Sequence, residues 1–209
     1  MKIPEGVEIK EVLKHMHKVG WLRTAFYYMI DWKTRKNVNL QNWINTNIDI
    51  PVEAYIDLKY IKNYKSNHRK IKEILKYVHR KIKYKSDIAV WDVKEKWQTP
   101  SETWDLKTGD CEDGALLAYA IAVIMGIPDY QLYIVAGDVL EPYTKKEVGH
   151  CYLIFISDED LKWYPIDWCY YYSSSISMNT TYYDNINYFN GKEEWLRFNN
   201  SGAYKLWRK

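Results

Sequence analysis

The chain has 209 residues, 47% of them hydrophobic and 27% charged, with a formal net charge of +3. That balance describes an ordinary globular protein and excludes an intrinsically disordered one, and the length suits one domain or one domain with an extension. Three cysteines with no CxxC pair exclude a disulfide framework and a zinc ribbon, while ten Trp and twenty Tyr promise large buried or contact surfaces.

The opening "MKIPEGVEIKEVLKH" has no apolar core of the signal-peptide kind. The longest strongly apolar run, Ala115 to Met125, is too short to span a bilayer. A chain that stays in the cytoplasm or on a particle, with its thiols reduced, is the expectation. Residues 7–35 read as helical, with aromatics in "GWLRTAFYYMIDW", and residues 37–66 as irregular or partly helical. Residues 1–66 are therefore expected to form a helical, aromatic-rich extension to a catalytic domain over 67–209.

An amphipathic helix is predicted over 68–82, with Ile71, Ile74, Leu75, Val78 and Ile82 on one face. Residues 59–85 hold eleven Lys/Arg against Glu73 alone, whereas residues 101–170 carry a net charge of −9. The basic stretch is either a solvated helix face or a dock for an acidic partner; no recognition motif accompanies it, which disfavours nucleic acid. The segment "KYKSDIAVWDVKEKWQTPSETWDLKTGD" reads as a polar connection rich in turn formers.

A second helix is predicted from Cys111 to Met125, closed by Gly126 and Pro128. The period then changes. "YQLYIVAG", "GHCYLIFI" and "LKWYPIDW" are β-type runs, and Asn190-Gly191 is a two-residue hairpin signal in the Tyr-rich tail. Helices first and an antiparallel sheet second make an α+β fold.

Within this frame three residues suggest chemistry. A nucleophilic cysteine needs a base, and the base needs a group that fixes its tautomer. A four-residue turn over 157–160 would pair Ile156 with Leu161 and set His150 opposite Asp167, with Cβ atoms about 4.5–5.5 Å apart. In that register Pro165 faces Tyr152 and needs an edge, a bulge or a non-hydrogen-bonded position. Cys111 begins the helix, and Ala115, Ala118 and Ala122 share its stripe, which lets the helix approach the sheet and aims the thiol at His150. Asp110 is the expected N-cap, and Asp113 should point away from the thiol. The positive helix end and an imidazolium at His150 are expected to offset the neighbouring acids. Cys151 should be a core thiol. A Cys/His metal site of Cys111, His150 and Cys169 is the competing use of these side chains. Trp97 or Trp104 would wall the cleft, and Gln98 is a candidate oxyanion donor.

"GDCED" before an Ala-rich helix, "GH" on a strand and "PID" on the next resemble the transglutaminase-like cysteine-protease superfamily. "WQTPSET" at 97–103 and the upstream "YVHRKIKYKSD" bring the chain closest to its bacterial branch, over about residues 70–168. The resemblance implies a papain-like core whose helix-borne nucleophile packs on an antiparallel sheet carrying His and Asp. Cys111 would be nucleophile, His150 base then acid, and Asp167 orienter, with a thioester resolved by water or an amine. Well-known members of the branch are periplasmic, calcium-dependent proteases that cleave adhesins, and their calcium contacts correspond to Asp110 and Glu112. The triad chemistry itself requires no cofactor. Three outcomes stay open: hydrolysis of a protein or peptide substrate, amine transfer or deamidation, and a binding or assembly module that keeps the fold.

Overall fold

A computed structural model describes residues 51–141, 143–170, 194–199 and 202–205. The helices predicted between 7 and 35 and the Asn190-Gly191 turn lie outside these residues.

The fold is α+β, with helices leading and an antiparallel sheet following. Helix α1 (Val52–Leu58) runs into a 3-10 turn over Lys59–Asn63, and α2 spans Asn67–Lys81. Ser66 caps α2 by accepting from the Arg69 N–H at 3.2 Å. Its apolar stripe of Ile71, Ile74, Leu75 and Val78 is buried, as the helical spacing predicts. Ala54, Leu58 and Ile61 share the same core.

The polar connection of 83–110 is more ordered than its composition suggests. It contains β1 (Lys83–Tyr84), α3 (Asp87–Trp91), α4 (Pro100–Leu106) and β2 (Thr108–Gly109). The signal for α4 was legible: Thr99 accepts from the Glu102 N–H at 3.2 Å, and Glu102 accepts from the Thr99 N–H at 2.7 Å. That is a capping box with Pro100 at the first helical position. Strands β1 and β2 pair in parallel, which lays residues 83–85 along the approach to Cys111.

Helix α5 (Cys111–Ile124) is buried on nearly every side, so it has no polar stripe to show. Gly126, at φ 83°, ends it in the left-handed region that glycine tolerates. A 3-10 turn over Asp129–Gln131 leads to β3 (Leu132–Leu140), β4 (Glu147–Ile156) and β5 (Trp163–Ile166). With β6 (Glu194–Asn199) and β7 (Gly202–Lys205) they form one sheet in the order β5-β4-β3-β6-β7. Ala136, Cys151, Leu153 and Phe155 join the core that contains α5. Val135, Val139, Tyr152 and Ile154 pack together on the other face.

The β4–β5 register corrects the expected one by two residues. Ile156 pairs with Trp163 rather than Leu161, and Pro165 with Ile154 rather than Tyr152. The turn is longer because it closes at Ser157, whose N–H donates to the Lys162 carbonyl at 2.9 Å. Leu161 sits at φ 58°, a left-handed conformation that a leucine does not advertise. Asp158 meanwhile reaches across to accept from the Asn67 and His68 N–H groups at 2.8 and 3.0 Å, so the turn also caps α2. Pro165 is tolerated because β5 lies at the edge of the sheet among the described strands.

Candidate active site

The first half of the site is the start of α5. Asp110 is the N-cap, and Asp113 reaches back to its N–H at 3.2 Å. The Gly109 position requires glycine for space: a Cβ there would lie 2.6 Å from Cβ of Asp113. Asp113 points away from the thiol, as its place on the helix predicts. It is fully buried and accepts from Gln98 twice, from the N–H at 2.8 Å and from Nε2 at 2.7 Å. Gln98 therefore clamps the 97–99 segment to the helix start. Its Nε2 is committed to Asp113, which counts against its use as an oxyanion donor. Trp97 and Trp104 are also buried in the core, where Trp104 stacks on Tyr77, so neither walls a cleft.

Cys111 is 9% exposed, and its thiol donates to Oε2 of Glu112 at 3.3 Å. The carbonyl of Cys111 accepts from the Trp168 indole N–H at 3.1 Å. Trp168 lies so close over α5 that a Cβ on Gly114 would sit 2.2 Å from its ring. The Trp168 carbonyl is in turn bonded to Nδ1 of His79 at 2.8 Å. One tryptophan thus joins α2, the helix that begins at Cys111 and the residue after Asp167.

The second half is on the sheet. His150 and Asp167 are both buried, and Nε2 of His150 meets Oδ2 of Asp167 at 2.7 Å. Asp167 lies one residue beyond β5. By the observed register it is diagonal to His150, not directly opposite. The two still meet because a two-residue slip keeps side chains on the same face. The other carboxylate oxygen accepts from the Cys169 N–H at 3.0 Å, so both oxygens are fixed. Tyr152 stacks on the imidazole at a centroid distance of 5.8 Å, and Tyr170 lies against it at 5.3 Å. Cys151 is a buried core thiol on the opposite face.

The two halves differ electrostatically. Burial pushes the Cys111 thiol well above its ordinary value, and Glu112 and Asp110 push it further. Burial also raises Asp110, although nearby His150 works the other way. Glu112 is held well above the carboxylate range by burial and then by Asp110. For Asp113, burial and then Asp110 push it to about 8.

This crowding matches a cation site. Asp87, Asp110 and Asp113 offer oxygens within 4.8 Å of one another, and so do Asp87, Glu95 and Glu112. Among the described residues, Oδ1 of Asp110 and Oε1 of Glu112 are buried without a hydrogen-bond partner. Carboxylates packed this way are costly unless a positive charge joins them, and an all-oxygen set suits a hard divalent ion. Asp87 and Glu95 were not legible from sequence. They reach the helix start through the β1–β2 pairing, in which Lys83 and Lys85 donate to the carbonyls of Lys107 and Gly109.

The structure thus brings His150 and Asp167 together, while the thiol hydrogen bond of Cys111 runs to Glu112. Trp168 and Gly114 were missed, and a Gly four residues before the second alanine of the helix stripe was the available signal. The family model for bacterial transglutaminase-like cysteine proteinases matches residues 51–159, just over half the chain, including Cys111 and His150. Similar solved structures include Legionella pneumophila LapG in a calcium-bound form, 16% identical with a TM-score of 0.49, covering 95% of this chain and 88% of that one. An EGTA-treated form of LapG is 15% identical with a TM-score of 0.48, covering 95% and 86%. No curated protein matches the chain in sequence.

Proposed function

Because this chain belongs to the bacterial transglutaminase-like cysteine proteinase family, we propose that it is a thiol peptidase working through a Cys111–His150–Asp167 triad. The observation that carries this reading is the buried His150–Asp167 pair, tied through Trp168 to the carbonyl of Cys111. His150 takes the thiol proton, and the Cys111 sulfur attacks the scissile carbonyl. The same imidazole then protonates the departing amine, leaving a thioester on Cys111. Asp167 holds the ring in one tautomer and stabilises the imidazolium that forms. The N–H of Cys111, in the first turn of α5, has no intrahelical acceptor and would help stabilise the oxyanion. Water activated by His150 hydrolyses the thioester. An amine in place of water would give transfer instead, and no residue of the site excludes it.

Asp110 and Glu112, with Asp87, Glu95 and Asp113 behind them, would hold Ca2+. Bound there, the ion would supply the positive charge that lowers the thiol toward its reactive form. Tyr84 and Tyr143, 58% and 73% exposed, rest against Trp168 and Tyr170 and offer aromatic walls to a peptide. Exposed Lys62, Lys65, Arg69, Lys72 and Arg80 offer a dock for an acidic region of the substrate. No helix among the described residues is long and apolar enough to cross a membrane.

The test is turnover of a peptide library in the presence of calcium, followed by capture of substrate on Cys111→Ala. Cleavage that vanishes in the variant is the expected result. Cleavage that survives in it would overturn the assignment of Cys111. No cleavage by the unaltered chain would favour a binding module that keeps the fold.

A further inference from the structure

We propose that His150, Asp167 and Cys169 form a second metal site, separate from the acidic set, for a transition ion of the zinc type, and that filling it disables the base. One ligand atom from each of the three residues lies within 4.8 Å of the other two. The donors are an imidazole nitrogen, a carboxylate oxygen and a sulfur. Zinc accepts such a mixed set, whereas calcium, which takes oxygens, does not. The acidic group of Asp87, Asp110 and Asp113 offers oxygens alone, so the two sites select different ions.

The frame is already built. Asp167 and Cys169 flank Trp168, which is pinned by its indole N–H to Cys111 and by its carbonyl to His79. The Cys169 N–H fixes one Asp167 oxygen, and Nε2 of His150 meets the other. His150 and Asp167 are buried, while Cys169 is half-buried and gives the ion a route in and a fourth position for water. Three protein ligands with one open position is a common zinc arrangement.

Binding replaces the proton between His150 and Asp167 with the ion. Nε2 becomes a ligand, so the proton of the neutral ring resides on Nδ1. The Cys169 thiol binds as thiolate and releases one proton to solvent; Asp167 binds as carboxylate, and nothing is oxidised or reduced. A ring ligated at Nε2 and protonated at Nδ1 has no lone pair left to accept a proton. The loss of catalysis rests on the peptidase reading above; the binding itself does not.

The metal-free full chain is titrated with Co2+, which takes zinc positions and shows sulfur-to-cobalt charge-transfer absorbance when a thiolate binds it. One equivalent should give the band, and Zn2+ should displace it. Cys169→Ser should abolish the band with the near-ultraviolet circular dichroism intact. Asp167→Asn should keep the band and weaken Co2+ binding at least about 10-fold, since even outer-shell partners are worth that much. Cys111→Ser and Cys151→Ser should leave the band in place. A band that persists in Cys169→Ser, one lost only in Cys111→Ser, or none in the unaltered chain would overturn the site. Turnover is read separately: Zn2+ should suppress it and a chelator should restore it. Unimpaired turnover by chain loaded at this site would overturn the disabling of the base. Co2+ binding as expected in a chain that cleaves nothing would leave the site standing and remove the peptidase reading.

Discussion

The start of α5 and the His150–Asp167 corner are parts of one site built on opposite principles. At the corner a buried carboxylate has both oxygens bonded, one of them to the imidazole of His150. At the helix start, buried acids crowd one another, two of their oxygens are unpartnered, and the thiol is pushed toward its protonated form. The corner is self-sufficient, whereas among the described residues the helix start leaves buried oxygens uncompensated. Burial alone does not separate them. Compensation does.

The largest effect should come from the self-sufficient half. Asp167→Asn should lower peptide turnover by about 10^4-fold, because the wrong tautomer of His150 is then favoured. Added calcium should not restore it, and restoration would erase the contrast between the halves. Next is the thiol itself. Iodoacetamide labelling of Cys111, followed by peptide mass mapping, should move at least about one pH unit lower with Ca2+ than with a chelator, about tenfold in rate near neutrality. An unchanged profile would mean that the acids do not govern the thiol.

A third outcome is thermodynamic. Asp113 is held at about 8 in the folded chain, above the ordinary carboxylate value. The native state therefore keeps a proton that the unfolded chain releases. This contribution to stability is full below the unfolded carboxylate pKa and is lost as pH rises through about 8. Urea unfolding of the calcium-free chain should show that decline, and Asp113→Asn should flatten it. A decline equally steep in the variant would assign the linkage to other groups.

Smaller effects probe the link between the halves. Gly114→Ala places a methyl group 2.2 Å from the Trp168 ring, and overpacking of this kind costs about 1–3 kcal/mol. Urea unfolding reads the loss, and a variant as stable as the parent would mean that Trp168 is not held against the helix. Thr99→Ala removes one side of the α4 capping box and should cost about 1 kcal/mol by the same measurement, with the pH profile of labelling unchanged.

Much of this site was legible in the sequence, for identifiable reasons. Periodicity located α2 and α5, since apolar stripes and helix stops are local signals. Alternation put His150 and Cys151 on opposite faces for the same reason. The exact strand pairing was not legible, because the turn after β4 contains a left-handed Leu161 and lends Asp158 to a distant helix. The mistake was even-numbered, so it spared the faces and therefore the His150–Asp167 contact. Asp87 and Glu95 stayed hidden because a two-residue parallel pairing and the Gln98–Asp113 hydrogen bonds bring their segment to the helix start. The upward shift of the thiol was not legible because burial, its largest cause, is a property of the assembled core.

Among the described strands, β5, which leads into Asp167, lies at one edge of the sheet and carries Pro165. An open edge is a template on which another chain can add a strand, and proline removes one of the donors such an addition would use. The buried Asp167 thus follows a strand whose proline makes it poorly suited to seeding aggregation.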